Sequence, residues 1–109
     1  LGPAHPHTAK SLLGLGELRR AQGRLADAEA LIRKALAVNE KAYGSQKHPD
    51  CASCLNSLSL VYLQEGKTDK AQDAIKRCLS IRNALLAPGH PDLAESNRNL
   101  AEISKEMRH

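Results

Sequence analysis

The sequence predicts an all-α fold: an α-α superhelix of about two and a half helix-turn-helix units, five helices in all, laid side by side as a solenoid. Three observations predict it. The chain repeats itself, with His5-Pro6, His48-Pro49 and His90-Pro91 falling roughly 42 residues apart and with 12–38 lying over 55–81. A period in this range marks a stacked array whose units cannot bury their apolar faces alone. Apolar residues make up 41% of the chain, yet there are two Tyr and no Phe or Trp, so the core must be Leu, Ile, Val and Ala. That palette suits closely spaced helices better than a sandwich. Finally, the apolar residues recur at the three-and-four spacing of a helical face.

Each element follows in order. The first helix is expected over 6–22, opened by Pro6, which gives up no needed N–H at the first helical position. "QGRLAD" turns the chain into a second helix, 25–43. The third, 49–65, starts at Pro49 with Asp50 facing the positive end of the helix dipole, and its stripe is Ala52, Leu55, Leu58, Ser59 and Tyr62. In "EGKTD", Gly66 ends that helix and Thr68 is placed to cap the fourth, 68–86, whose stripe is Ala71, Ala74, Ile75, Cys78 and Leu79. The fifth, 91–107, is an unpaired half repeat. The single array thus divides into repeat one (5–46), repeat two (48–88) and a half repeat or capping helix (90–109). Small residues, Gly16, Ser59 and Ala101 in the first helices with Ala28 and Ala71 in the second, mark where paired helices would cross closely.

This pattern resembles the tetratricopeptide repeat. Leu15-Gly16, Leu58-Ser59 with Tyr62, and Leu100-Ala101 are followed, where the chain continues, by Ala28 with Ala35-Leu36 or by Ala71 with Cys78-Leu79. The long period and the stretches "HPDCASCLNSLSLVYLQEGK" and "GHPDLAESNRNLA" are similar to the kinesin-light-chain class of that family. The resemblance covers essentially the whole chain. It implies a concave groove lined by the first helix of each pair, which binds extended or helical segments of partner proteins.

The groove residues can be derived from helix geometry. At about 100° per residue, Asn56, Leu60 and Leu63 form a second face beside the core stripe of the third helix. Repeat register adds Leu13, Glu17 and Arg20 in the first helix and Arg98, Glu102 and Lys105 in the last, with Asn99 beside them. The expectation is an apolar centre, Leu60 and Leu63, flanked by charges of both signs. Exposed Leu there would anchor a partner's apolar side chain. The other reading is that these Leu pack on neighbouring helices or on further repeats. A carboxylate clamp for chaperone tails is not expected, because Leu13 and Glu17 stand where that subtype resembles a set of basic and amide residues; only Asn56, Arg98 and Asn99 are compatible. Kinesin light chains are similar in repeat class and bind peptides with acidic flanks, but basic groove positions are sparse here.

Composition excludes other classes. The net charge is +4, yet the groove-lining helices together are slightly acidic, so the positive excess lies on the turns and the fourth helix. Without a basic patch or aromatic stacking residues, no nucleic-acid binding is expected. No apolar run approaches the roughly 18 residues of a membrane span, and three Cys, an odd number, suggest reduced thiols and a cytoplasmic setting. A chain opening on Leu1 reads as an excised fragment or a processed product. There is no Gly-rich phosphate loop, H-E-x-x-H or G-x-S-x-G, so neither an enzyme nor a cofactor is expected. "HPDCASC" sets His48, Cys51 and Cys54 at ligand-like spacing, but a zinc site wants four ligands and no second Cys pair exists. Register equates Cys51 with Thr8 and Leu93, and Cys54 with Ser11 and Ser96, which makes both thiols packing residues. The functional expectation is a non-enzymatic module that binds a protein or peptide partner. The alternative is a segment that extends a larger solenoid or self-associates.

Overall fold

A computed structural model describes residues 5–108. Its five helices are α1 (Pro6–Ala21), α2 (Leu25–Tyr43), α3 (Pro49–Gln64), α4 (Thr68–Leu85) and α5 (Pro91–Met107), within a residue of the expected bounds at every end. They form a flattened body of 45 × 34 × 19 Å. The hairpins α1–α2 and α3–α4 are the most extensive contacts, followed by α2–α3 and α4–α5.

The repeated His-Pro has a specific local role. His5, His48 and His90 are the N-caps of α1, α3 and α5, and each imidazole Nδ1 accepts from the backbone N–H two residues on, at 3.1, 3.1 and 3.0 Å. One of the four orphan donors of each helix start is thereby satisfied, while Pro supplies the preset φ of the first turn. At the linker, the His48 ring stacks on Tyr43 with centroids 3.5 Å apart, and the Tyr43 hydroxyl donates to Asp50 at 2.7 Å.

In the turns inside the hairpins the glycine stop expected at Gly66 is present, and the cap expected at Thr68 is not. Gly23 and Gly66 sit at φ +76° and +78°, a left-handed conformation open to glycine without steric cost. The Lys67 N–H reaches back to the Tyr62 carbonyl at 2.8 Å and the Gly66 N–H to Leu63 at 3.1 Å, the pattern of a Schellman stop. This closure delivers the chain straight into α4, so Lys67 is the N-cap and Thr68 is the first helical residue, not the cap. Among the described residues no side-chain hydrogen bond caps the start of α2 or α4.

The core is one continuous cluster running from Ala9 through Ile32, Leu55, Val61 and Ile75 to Ile103. Gly16, Ala28, Ser59 and Ala71 are all buried, as their spacing predicts for close crossings, whereas Ala101 is exposed because no helix packs on that side of α5 among the described residues. The tightest crossing is at Gly16, where a Cβ would lie 2.6 Å from Ile32 Cγ1. Ile32 is fully buried, so the contact cannot be relieved by swinging its side chain out into solvent without losing that burial. Gly14, two residues earlier in the same helix, faces open space.

Two glycine substitutions should therefore have opposite signs. Gly14→Ala should stabilise by about 0.5–1 kcal/mol through helix propensity. Gly16→Ala should destabilise, because overpacking of about 1–3 kcal/mol exceeds the same propensity gain. Urea denaturation of both variants reads the difference. By the same measurement, His48→Ala and His90→Ala should each lose about 1 kcal/mol of capping, and His48→Asn should keep most of it.

Candidate functional site

The curvature of the body follows from which helices touch. The hairpin-opening helices α1, α3 and α5 contact one another in sequence, while among the described residues α2 and α4 do not meet. A layer whose one side is drawn together and whose other side is splayed is concave on the drawn side, so α1, α3 and α5 line the inner face. On the outer side the splay leaves a cleft of about 510 Å³ between α2 and α4, floored by Leu36, Leu58, Tyr62 and Ala74.

Polar side chains bridge the inner helices. Glu17 accepts from the Ser57 hydroxyl and from Arg20 Nε and Nη2 at 3.2 and 3.1 Å, and Arg20 Nη1 donates to Gln64 at 3.1 Å. These bonds join α1 to α3. From α3 to α5, Asn56 Nδ2 donates to Glu95 at 3.2 Å, while its Oδ1 accepts from Asn99 at 3.0 Å and Ser96 at 3.3 Å. Behind them Arg82 of α4, only 6% exposed, donates through Nη1 to the Asp92 carbonyl at 3.0 Å, Glu95 at 3.3 Å and Ser96 at 2.8 Å. A buried cation persists only when so many acceptors surround it.

The ten residues expected in the groove thus fall into three groups. Glu17, Arg20, Asn56 and Asn99 are tied into the inter-helix network, and Asn56 is buried with both ends of its amide engaged. Leu13 and Leu63 are half-buried and pack on the core, while Leu60 is half-buried outside that packing. Arg98, Glu102 and Lys105 stand exposed along α5, and among the described residues they form no ion pair. Ser57, Gln64, Glu95 and Arg82 were not anticipated. The sequence held a signal for Arg82: a cation inside an otherwise apolar stripe, in register with Asn39 one repeat earlier.

His48, Cys51 and Cys54 do not converge. His48 Nδ1 is the cap of α3, Cys51 Sγ lies 3.8 Å from the Ser45 carbonyl, and Cys54 Sγ receives Asn39 Nδ2 at 3.6 Å. Among the described residues no three His, Cys, Asp or Glu side chains gather where they could hold a metal. Burial pushes the Cys51 thiol up to about 11, with Glu40 and Asp50 adding to the effect. Burial also takes Cys54 to about 12, against the opposing Asn39 bond, and raises Cys78, which contacts Ser96. Such thiols are protonated packing atoms at neutral pH.

A chain of helix hairpins whose first members line a concave face defines the class of helical-repeat superhelices. The comparisons name the family within it. A tetratricopeptide repeat family model matches residues 7–84, so the chain belongs to the tetratricopeptide repeat family. Two solved structures share the fold, both of a protein from Podosopora anserina assigned as a kinesin light chain with nearly identical TPR-like repeats. One, a single-substitution form, has a TM-score of 0.79 and the other 0.76, each at 21% identity over 99% of this chain. The chain spans about half the length of those structures (50% and 51%). A comparison with curated proteins returns no match.

The thiols give a prediction about labelling and pH. At pH 8 iodoacetamide should leave all three Cys unmodified in the folded chain and modify all three in urea. The raised thiols ionise first in the unfolded chain, so their contribution to stability should be constant below about pH 8 and fall as pH rises toward 11–12. A protein that kept its full stability at pH 11 would contradict this.

Proposed function

We propose that the chain is a non-enzymatic protein-interaction module that captures a segment of a partner protein along the face formed by α1, α3 and α5. Tetratricopeptide repeats generally mediate protein–protein interaction, and this coarse role follows from membership of the family. The observation that carries the finer reading is the placement of Leu60, an apolar side chain left half-open on an inner face where Glu17, Arg20, Asn56 and Asn99 are already bonded and Leu13 and Leu63 already pack on the core. A floor held by Glu17–Ser57 and Asn56–Asn99 bonds presents a fixed surface, and a partner's apolar side chain would find Leu60 and Leu63 at its centre. Arg20 on one side and Arg98, Glu102 and Lys105 on the other would meet the flanking backbone or charges. Among the described residues no helix is long and apolar enough to cross a membrane, and three free buried thiols fit a cytoplasmic setting.

In a peptide-array screen, Leu60→Asp should remove binding to every captured peptide, while Lys105→Ala should weaken it by less than about tenfold, as rim charges do. Unchanged binding by Leu60→Asp would dismiss the groove as the site.

A second reading, extension of a longer solenoid or self-association, is favoured by the outer face of α1. Leu15 and Leu18 are 39% and 51% exposed, whereas their register partners Leu58 and Val61 are 6% and 0% exposed between α2 and α4. A helix packed on α1 as α2 packs on α3 would cover both. If this reading holds, light scattering will show an apparent mass that rises with concentration, and Leu15→Glu with Leu18→Glu will return the chain to a monomer.

A further inference from the structure

Where the first hairpin meets the turn of the second, two carboxyl groups face each other. Glu29 stands on α2, and Glu65 is the C-cap of α3. Their side chains are only 15% and 13% exposed, and the two carboxyls lie within hydrogen-bonding reach of one another. Lys67, the N-cap of α4, sets its Nζ 3.3 Å from Glu29 Oε1 and 3.6 Å from Glu65 Oε2, so one ammonium serves both. Arg33 Nη1 meets the other Glu29 oxygen, Oε2, at 3.4 Å. Glu65 Oε1, in contrast, is closed to solvent and has no hydrogen-bond partner among the described residues. The other charged or titratable groups on the elements packed here are engaged elsewhere. Arg20 of α1 is bound to Glu17 and Gln64, Arg24 is paired with Asp27, Lys70 lies 5.8 Å from the Tyr62 ring, and burial together with Glu29 keeps the Tyr62 hydroxyl protonated.

We infer that Glu29 and Glu65 form a proton-operated latch between the first and second repeats. With one proton shared, they bond α2 to the end of α3; when it leaves, the two charges repel and the contact loosens. Ionised carboxylates only accept, so an approach of two of them becomes a bond only when a proton lies between them. The proton belongs to Glu65. At the C-cap of α3 it sits at the negative end of a helix dipole, which opposes an anion, whereas Glu29 has both Lys67 and Arg33. The acidities agree with this assignment. Burial, then the bond to Glu29 and its charge, raise Glu65 above the ordinary 4.5, against Lys67. Burial also acts upward on Glu29, but the bonds from Glu65, Lys67 and Arg33 outweigh it and hold that carboxyl below 4.5. A raised carboxyl adds stability below its unfolded value and gives it up as pH rises through the folded one, and a lowered carboxyl does the reverse. The pair therefore holds best near pH 4.5, in the one-proton state, and acidification from neutral pH tightens the junction. Register puts Gln22 and Met107 where Glu65 stands and Gln72 where Glu29 stands, so the latch is confined to this junction.

The test follows the glutamate carboxyl carbons of the full chain by carbon-13 NMR from about pH 2.5 to 8. Glu29 and Glu65 should each titrate in two steps, one below and one above 4.5, as coupled sites do, and the backbone amides of 28–33 and 64–68 should move with the upper step. Glu65→Gln, whose amide donates to Glu29 at every pH, should leave Glu29 a single step and remove the upper step from those amides. Urea denaturation at pH 7 should give that variant an unfolding equilibrium constant about threefold to tenfold below the wild type, a gap that narrows near pH 4.5. Lys67→Met, a change at a half-exposed side chain, should carry the upper step to higher pH. Glu29→Gln, the reciprocal change, should return Glu65 to a single step. Independent single steps for the two carboxyls in the wild type overturn the latch, as does a Glu65→Gln chain no more stable than the wild type at pH 7. An upper amide step that survives both glutamine substitutions overturns it as well.

Discussion

The rest of the architecture depends on how closely the two helices of a hairpin cross. At Gly16 the α1 backbone lies so near Ile32 that no side chain fits between them, and at the next hairpin Ser59 and Ala71 are both fully buried. Close crossing lets one row of Leu, Ile and Ala side chains fill the space between helices at native density without large aromatic residues. It also narrows each hairpin, so that α1, α3 and α5 come within reach of one another's polar side chains. Wider crossings would separate Glu17 from Ser57 and Asn56 from Asn99, and the inner face would lose the bonds that hold it.

Helix number, order and bounds were legible because each rests on a local rule that the chain states more than once. His-Pro opens three helices, Gly66 and Gly23 close two, and the Ala and Leu stripes repeat at helical spacing. The capping role of His48 Nδ1 was less visible, since a histidine in a linker has many uses and only the backbone geometry selects one. Thr68 was misread for a related reason: the cap preference of a residue type is local, whereas the start of α4 is set by a bond from Lys67 back to Tyr62. At the site, Leu60 and Leu63 could be placed on a helical face by counting. The partners of Asn56 could not, because Glu95, Ser96 and Asn99 reach it only after α4 has carried the chain back to α3.

Buried polar groups distinguish the two junctions. Arg82 is surrounded by acceptors, and such a group fixes the position of α5 more than it adds stability, since its desolvation offsets much of the attraction. Asn39, in the same register, makes one weak contact to sulfur. The first junction is therefore held mainly by apolar packing and by the Glu17 and Arg20 bonds, and the second by a charge-assisted network. Repeats alike in sequence need not be joined alike.

The distribution of aromatic rings has a practical consequence. With no Trp and two Tyr in the chain, ultraviolet emission comes from two known places. Tyr43 lies against the His48 ring at the linker, and Tyr62 lies in the packed interior with Lys67 and Lys70 ammonium groups about 6 Å from its ring (6.0 and 5.8 Å). One chromophore reports whether a linker is closed and the other whether a hairpin is packed, so substituting either by Phe separates the two events optically without a foreign label.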